Sequence, residues 1–140
     1  MEGLFRRRLL PHWDVPGATY FVTACLHDCL PARRVKELKR LRHDLDRQPC
    51  PALLSEDEWE DRKDIMVFRA MDHYLDTEPT KDWLRQPAVA EEVRKSLYHF
   101  AGERYDVFEY VVMPSHLHWI FRPTPEYEEL VKDTKRKPRE

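Results

Sequence analysis

The chain has 140 residues, with 24 lysines and arginines against 26 aspartates and glutamates, a formal net charge of −2, and 36% charged beside 41% hydrophobic residues. That length and balance fit one soluble domain spanning 1–140 and exclude long-range attraction for phosphate through net charge, so any affinity for nucleic acid must come from local patches. No apolar run approaches the roughly 20 residues of a membrane helix and the start lacks a signal-peptide core, so a cytoplasmic protein without a membrane partner is expected.

Three cysteines, Cys25, Cys29 and Cys50, form neither an even set nor a CxxC pair, which favours thiols over disulfides or a structural zinc. Three groups of basic residues stand out. Arg6-Arg7-Arg8 opens the chain, Arg33 to Arg42 carries six cations, and Lys135-Arg136-Lys137 lies near its end. Such runs are commonly solvated helix faces, and become nucleic-acid contacts only where they meet a phosphate backbone.

Along the chain, Thr19 to Leu26 is rich in aromatic and β-branched residues and reads as a strand, central because both of its faces are mostly apolar. From Arg33, Val35, Leu38, Leu41 and Leu45 recur at helical spacing, and Pro49 and Pro51 stop that helix. Ser55 with Glu58 makes a capping box, so a second helix starts there. Ile65, Phe68, Met71 and Leu75 extend it, although Ile65-Met66-Val67-Phe68 also suits a short strand. The polar segment from Glu78 to Gln86 is a connection, and Pro87 opens a helix with Val89, Val93, Leu97 and Phe100 on one face, ending near Gly102. Tyr105 to Met113 and His116 to Arg122 read as a hairpin turned at Pro114-Ser115. Residues 123–140 read as a charged tail. The pattern is α+β, an antiparallel sheet covered on one face by helices, with a ferredoxin-like arrangement as its simplest member.

The chemistry concentrates at His116 and His118. Two residues apart on a strand, they project from one face while Leu117 and Trp119 point to the other. Two imidazoles aimed at one point suit a divalent metal, which can polarise a phosphate oxygen for attack. A bare His-x-His is too short to be specific, and its surroundings add the rest. His27, at the end of the first strand, and Glu109, reached through the hairpin, are further candidates for contact with the metal or its water. Trp119 alternates with His118 and is expected to pack beneath the helices.

Val111-Val112-Met113-Pro114-Ser115-His116-Leu117-His118-Trp119-Ile120 resembles the signature strand of the small single-tyrosine HUH transposases, including the REP-associated tyrosine transposases, which reads Met-Pro-Asn-His-hydrophobic-His. Arg8 to Trp13, Gly17 to Thr23, Trp83 to Pro87 and Gly102 to Asp106 resemble other parts of that family. The resemblance implies a DNA-transposition endonuclease of the ferredoxin-like HUH fold, with Mg²⁺ or Mn²⁺ held by His116 and His118. Its substrate would be single-stranded or hairpin DNA, cut through a 5′-phosphotyrosine link that conserves the phosphodiester energy. Arg6, Arg7, Arg8, Arg122, Lys135 and Arg136 are the expected DNA contacts.

Two departures bear on activity. Ser115 stands where the family has asparagine, and Tyr127, the sole tyrosine after the histidines, lies where the family has a connection and not its catalytic helix. The expectation is therefore a C-terminally incomplete domain that binds without cutting, with Tyr127 the weak candidate nucleophile. The alternative is a non-enzymatic nucleic-acid-binding or interaction module that retains the fold. Whether the chain forms a homodimer is left open, since the helix that family members exchange is the one expected to be missing.

Overall fold

A computed structural model describes residues 16–136, with side chains described through residue 130. In chain order its elements are β1 (Tyr20–Cys25), α1 (Ala32–Asp46), α2 (Glu56–Thr77), a short 3₁₀ turn (Trp83–Arg85), α3 (Pro87–Tyr98), β2 (Tyr105–Val112), β3 (His116–Pro123) and α4 (Pro125–Arg136). This is an α+β chain with one three-stranded antiparallel sheet among the described residues, and it divides into two compact units.

The first unit, described over Leu26–Asp82, is a helical hairpin. Leu38 packs with Met71 and Leu75, and Leu45 packs with Trp59 and Val67, so the two helices run antiparallel. On α2, Trp59, Lys63, Val67, Met71 and Leu75 are all buried, a seam of every fourth residue. The Ile65-Met66-Val67-Phe68 segment is helix: a strand would place Ile65 and Val67 on one face, whereas Val67 is buried in the seam and Ile65 is not. Ile65 and Met66 are each about half exposed.

The capping box expected at Ser55 is present. Its hydroxyl accepts from the Glu58 backbone N–H at 3.2 Å, and the Glu58 carboxylate accepts from the Ser55 backbone N–H at 2.8 Å. These reciprocal bonds hold the Glu58 carboxyl below the usual carboxylate range. Ion pairs flank the hairpin. Glu78 accepts from Arg33 and Arg34, Arg42 meets Asp46, Glu60 and Asp64, and buried Lys63 lies between Asp46 and Glu60.

The second unit holds the sheet, in the order β1-β3-β2. β3 is therefore the middle strand and β1 flanks it, a correction to the central placement read from the apolarity of β1. Its two faces are apolar for different reasons. Tyr20 stacks on Phe121 in the aromatic layer of one face, whereas Phe21 stacks on His118 on the other. The aromatic layer continues through Trp119, which stacks on Phe121 with centroids 4.1 Å apart and meets Tyr105 edge-on.

α3 covers that layer. The Tyr105 hydroxyl donates to the Leu97 carbonyl at 2.9 Å, and Tyr98 meets Tyr110 edge-on. Gly102, at φ 81°, makes the left-handed turn that brings the chain from α3 into β2, and its N–H donates to the Tyr105 carbonyl. Buried Leu84 ties the 3₁₀ turn to the hairpin by donating its N–H to the Pro114 carbonyl at 3.0 Å.

Residues 125–136 are helical, which corrects the charged tail read from the sequence. Pro125 sits at the first helical position, where its missing N–H costs nothing, and Glu126 and Glu128 complement the helix N-terminus. The Thr124 N–H and hydroxyl donate to the Arg104 and Glu103 carbonyls, and the Glu128 carboxylate accepts from the Gly17 N–H at 3.0 Å.

Candidate metal centre

β3 is paired on both sides, so the two histidines emerge from the strand of this sheet whose backbone is most completely hydrogen-bonded. The register sets Cys25 opposite His116, Thr23 and Val111 opposite His118, and Phe21 and Glu109 opposite Ile120. These residues share a face, and the aromatic layer under α3 occupies the reverse face.

Both imidazoles project as expected from their spacing. Their ring centroids are 4.9 Å apart at an interplanar angle of 81°. A ring nitrogen of each lies within 4.8 Å of one of the other, about the span of two metal–nitrogen bonds of roughly 2.1 Å.

Each ring is held by a hydroxyl. Thr23 Oγ1 lies 2.8 Å from His118 Nδ1, and Ser115 Oγ lies 3.0 Å from His116 Nδ1. With Nδ1 engaged in each ring, Nε2 is the nitrogen that either presents as a ligand. A hydroxyl that accepts from Nδ1–H fixes the tautomer with its lone pair on Nε2, the outer-shell arrangement that orients metal-ligating histidines. His116 and Ser115 are buried, with 0% and 1% of their surface exposed, so this pair is set by packing as well as by the hydrogen bond. His118 is half-buried, and the Phe21 ring stacked at 5.3 Å limits its rotation.

The donor set therefore fits a divalent cation: two nitrogen ligands on a rigid strand, each with its second nitrogen occupied. Ser115 supplies the hydrogen bond to the neighbouring imidazole. Thr23 was not legible as a site residue, because nothing local marks it. Only the β1–β3 register brings it to His118.

Other residues singled out from the sequence lie elsewhere. Tyr127 is on α4, beyond the far end of β3, beside Arg104, whose guanidinium is 5.7 Å from its ring centre. The five residue steps from His118 to Pro123 alone span about 17 Å. Tyr20, Tyr105 and Tyr110 belong to the opposite face of the sheet, and Tyr98 packs on Tyr110 there. Among the described residues of this unit, no tyrosine shares the histidine face.

Arg122 shares that face four residues along β3, with its guanidinium 5.3 Å from the Phe108 ring centre and 3.5 Å from Asp106. Glu109 is exposed, one step along the face from His118. His27 is exposed and contacts Asp28 at 3.0 Å. Lys135 and Arg136 end α4, with their side chains outside the described set, and Arg6, Arg7 and Arg8 lie outside the described residues altogether. The three cysteines are thiols. Comparison with protein-family models, with curated proteins and with solved structures finds no match to this chain.

Proposed function

We propose that this chain is a metal-dependent single-stranded or hairpin DNA-binding domain of the HUH transposase kind, which grips a scissile-type phosphate without forming a covalent link to it. The observation that carries the reading is the pair of imidazoles on β3, each with Nδ1 beside a hydroxyl and with ring nitrogens within 4.8 Å of one another, a spacing that suits one cation. The sequence around them, Met113-Pro114-Ser115-His116-Leu117-His118, supplies the resemblance. A bound Mg²⁺ or Mn²⁺ would supply Lewis acidity toward a phosphate oxygen.

This chain's own residues do the rest. His116 and His118 hold the ion, and Ser115 and Thr23 orient them. Arg122 and the exposed Phe108 lie further along the same face, where a cation and a ring suit a flexible phosphodiester strand. The distance of Tyr127 from the pair, and the absence of a tyrosine from the histidine face among the described residues of this unit, favour binding over strand transfer.

The test is retention of an unpaired single-stranded oligonucleotide, with and without Mn²⁺, by wild type and by His116→Ala. Metal-dependent retention that His116→Ala loses supports the reading, and denaturing gels of the same mixtures are expected to hold no covalent protein–DNA adduct. Retention indifferent to both metal and substitution would favour a nucleic-acid module that does not use the histidines.

A further inference from the structure

The basic residues of α1 sort into two populations. Arg33, Arg34 and Arg42 are engaged by carboxylates, Arg33 with Glu78, Arg34 with Glu37 and Glu78, and Arg42 with Asp46, Glu60 and Asp64, and the last two arginines are partly buried. These are structural cations that clamp α1 to α2. Lys36, Lys39, Arg40 and Arg47 are exposed, and none makes an ion pair among the described residues. His43, also exposed, meets only the neighbouring Asp44 at 3.6 Å.

At about 100° per residue these five side chains fall within about 100° of arc, and at 1.5 Å rise they extend about 16 Å along the helix. A single nucleic-acid strand in a duplex places one phosphate per about 3.4 Å of axis, so the stripe faces a length holding about five. Arg47, the C-cap, stays in the right-handed helical region and so continues the line of the stripe.

We infer that this outer face of α1 is a docking surface for the phosphate backbone of a nucleic-acid duplex, separate from the histidine pair and independent of metal. Three observations select that occupant. The chain as a whole carries a charge of −2, so a face of unpaired cations is a local feature and not a reflection of bulk composition. The stripe holds no aromatic ring other than the His43 imidazole, so it lacks the stacking platform that unpaired bases require, and cations alone suit a backbone whose bases remain paired. An anionic membrane would need the apolar side of the same helix, and Leu38 and Leu45 bury that side in the hairpin core.

The test is fluorescence anisotropy of a 30-base-pair duplex of arbitrary sequence, as DNA and as RNA, titrated with the full chain in EDTA at several salt concentrations. Wild type is expected to bind with log K falling against log salt at a slope near −3 to −4, about −0.9 per cation that meets a phosphate. The combined substitution Lys36→Gln, Lys39→Gln, Arg40→Gln and Arg47→Gln is expected to lose at least tenfold in affinity at low salt and most of that slope. The pair Lys36→Gln and Arg40→Gln is expected to lose about half the slope and serves if the fourfold variant folds poorly. The double substitution Arg94→Gln and Lys95→Gln, on α3 where both cations are already paired with glutamates, is expected to change nothing.

This titration is run with the metal chelated, whereas the histidine reading is tested by Mn²⁺ binding and Mn²⁺-dependent retention, so failure of the one and failure of the other are distinguishable. DNA bound in preference to RNA, or the reverse, identifies the source of the backbone. Equal affinity and slope in wild type and the fourfold variant would overturn the inference. So would binding to vesicles of anionic lipid, lost on the same substitution, with no binding to either duplex.

Discussion

Replacing Thr23 by valine removes one hydroxyl at nearly constant volume and leaves both histidines in place. Thr23 Oγ1 is 2.8 Å from His118 Nδ1 in a partly buried setting, and a hydroxyl that accepts from Nδ1–H there leaves the lone pair on Nε2. Outer-shell partners of this kind typically change metal affinity by about 10- to 100-fold, or about 1.4–2.7 kcal/mol at 1.36 kcal/mol per decade. The Phe21 ring stacked on His118 limits its tilt but selects no tautomer. Mn²⁺ titration followed by electron paramagnetic resonance, at a pH where histidine is neutral, should therefore give a dissociation constant about 10- to 100-fold weaker for Thr23→Val. Thr23→Ser should restore most of it, and Ser115→Ala should produce a loss of similar size through His116. Thermal melting of the metal-free proteins controls for folding. The reasoning is refuted if Thr23→Val binds Mn²⁺ as tightly as wild type, or if serine rescues nothing while the fold is intact.

Other expectations follow from the hairpin and from α4. Leu75 is 1% exposed in the cluster with Leu38 and Met71, so Leu75→Ala should destabilise the helical hairpin by about 2–5 kcal/mol in urea titration. The Arg34 and Arg33 guanidiniums hold the Glu78 carboxyl down at about 2, so its folded value lies below its unfolded one. Its contribution is then present above about pH 4.5 and disappears as pH falls toward 2, and Glu78→Gln should flatten the acid-induced loss of stability across that window. Tyr127 packs near Arg104 and away from the histidines, so Tyr127→Phe should leave Mn²⁺ affinity and single-stranded DNA retention within about twofold of wild type, and a larger loss would place that hydroxyl in the site.

Much of the local structure was legible in the sequence because the signals were short-range. The Ser55 and Glu58 box, Pro87 at a helix start, and the Pro114-Ser115 reversal between two β-rich runs each carry their own physical cause within a few residues. The errors arose where the deciding term was non-local. β1 looked central because both its faces are apolar, and its flanking position depends on β3 pairing between it and β2. The segment 65–68 could be read as strand until the partner α1 showed which side is buried, with Val67 inside and Ile65 and Met66 outside. Residues 125–136 read as tail because their charge outweighed a helical start at Pro125 and an acidic first turn. For the site, the alternation of His116 and His118 on a strand sufficed to aim them together. The groups that orient them were split: Ser115 is the adjacent residue, whereas Thr23 lies 95 positions away and comes into contact only through strand register.

The central claim is that His116 and His118 act as one chelating pair. Isothermal titration of Mn²⁺ into wild type, His116→Ala and His118→Ala tests it directly. One ion per chain in wild type, with binding abolished or weakened at least tenfold in each single variant, is the predicted result. Equal binding in all three proteins would contradict it.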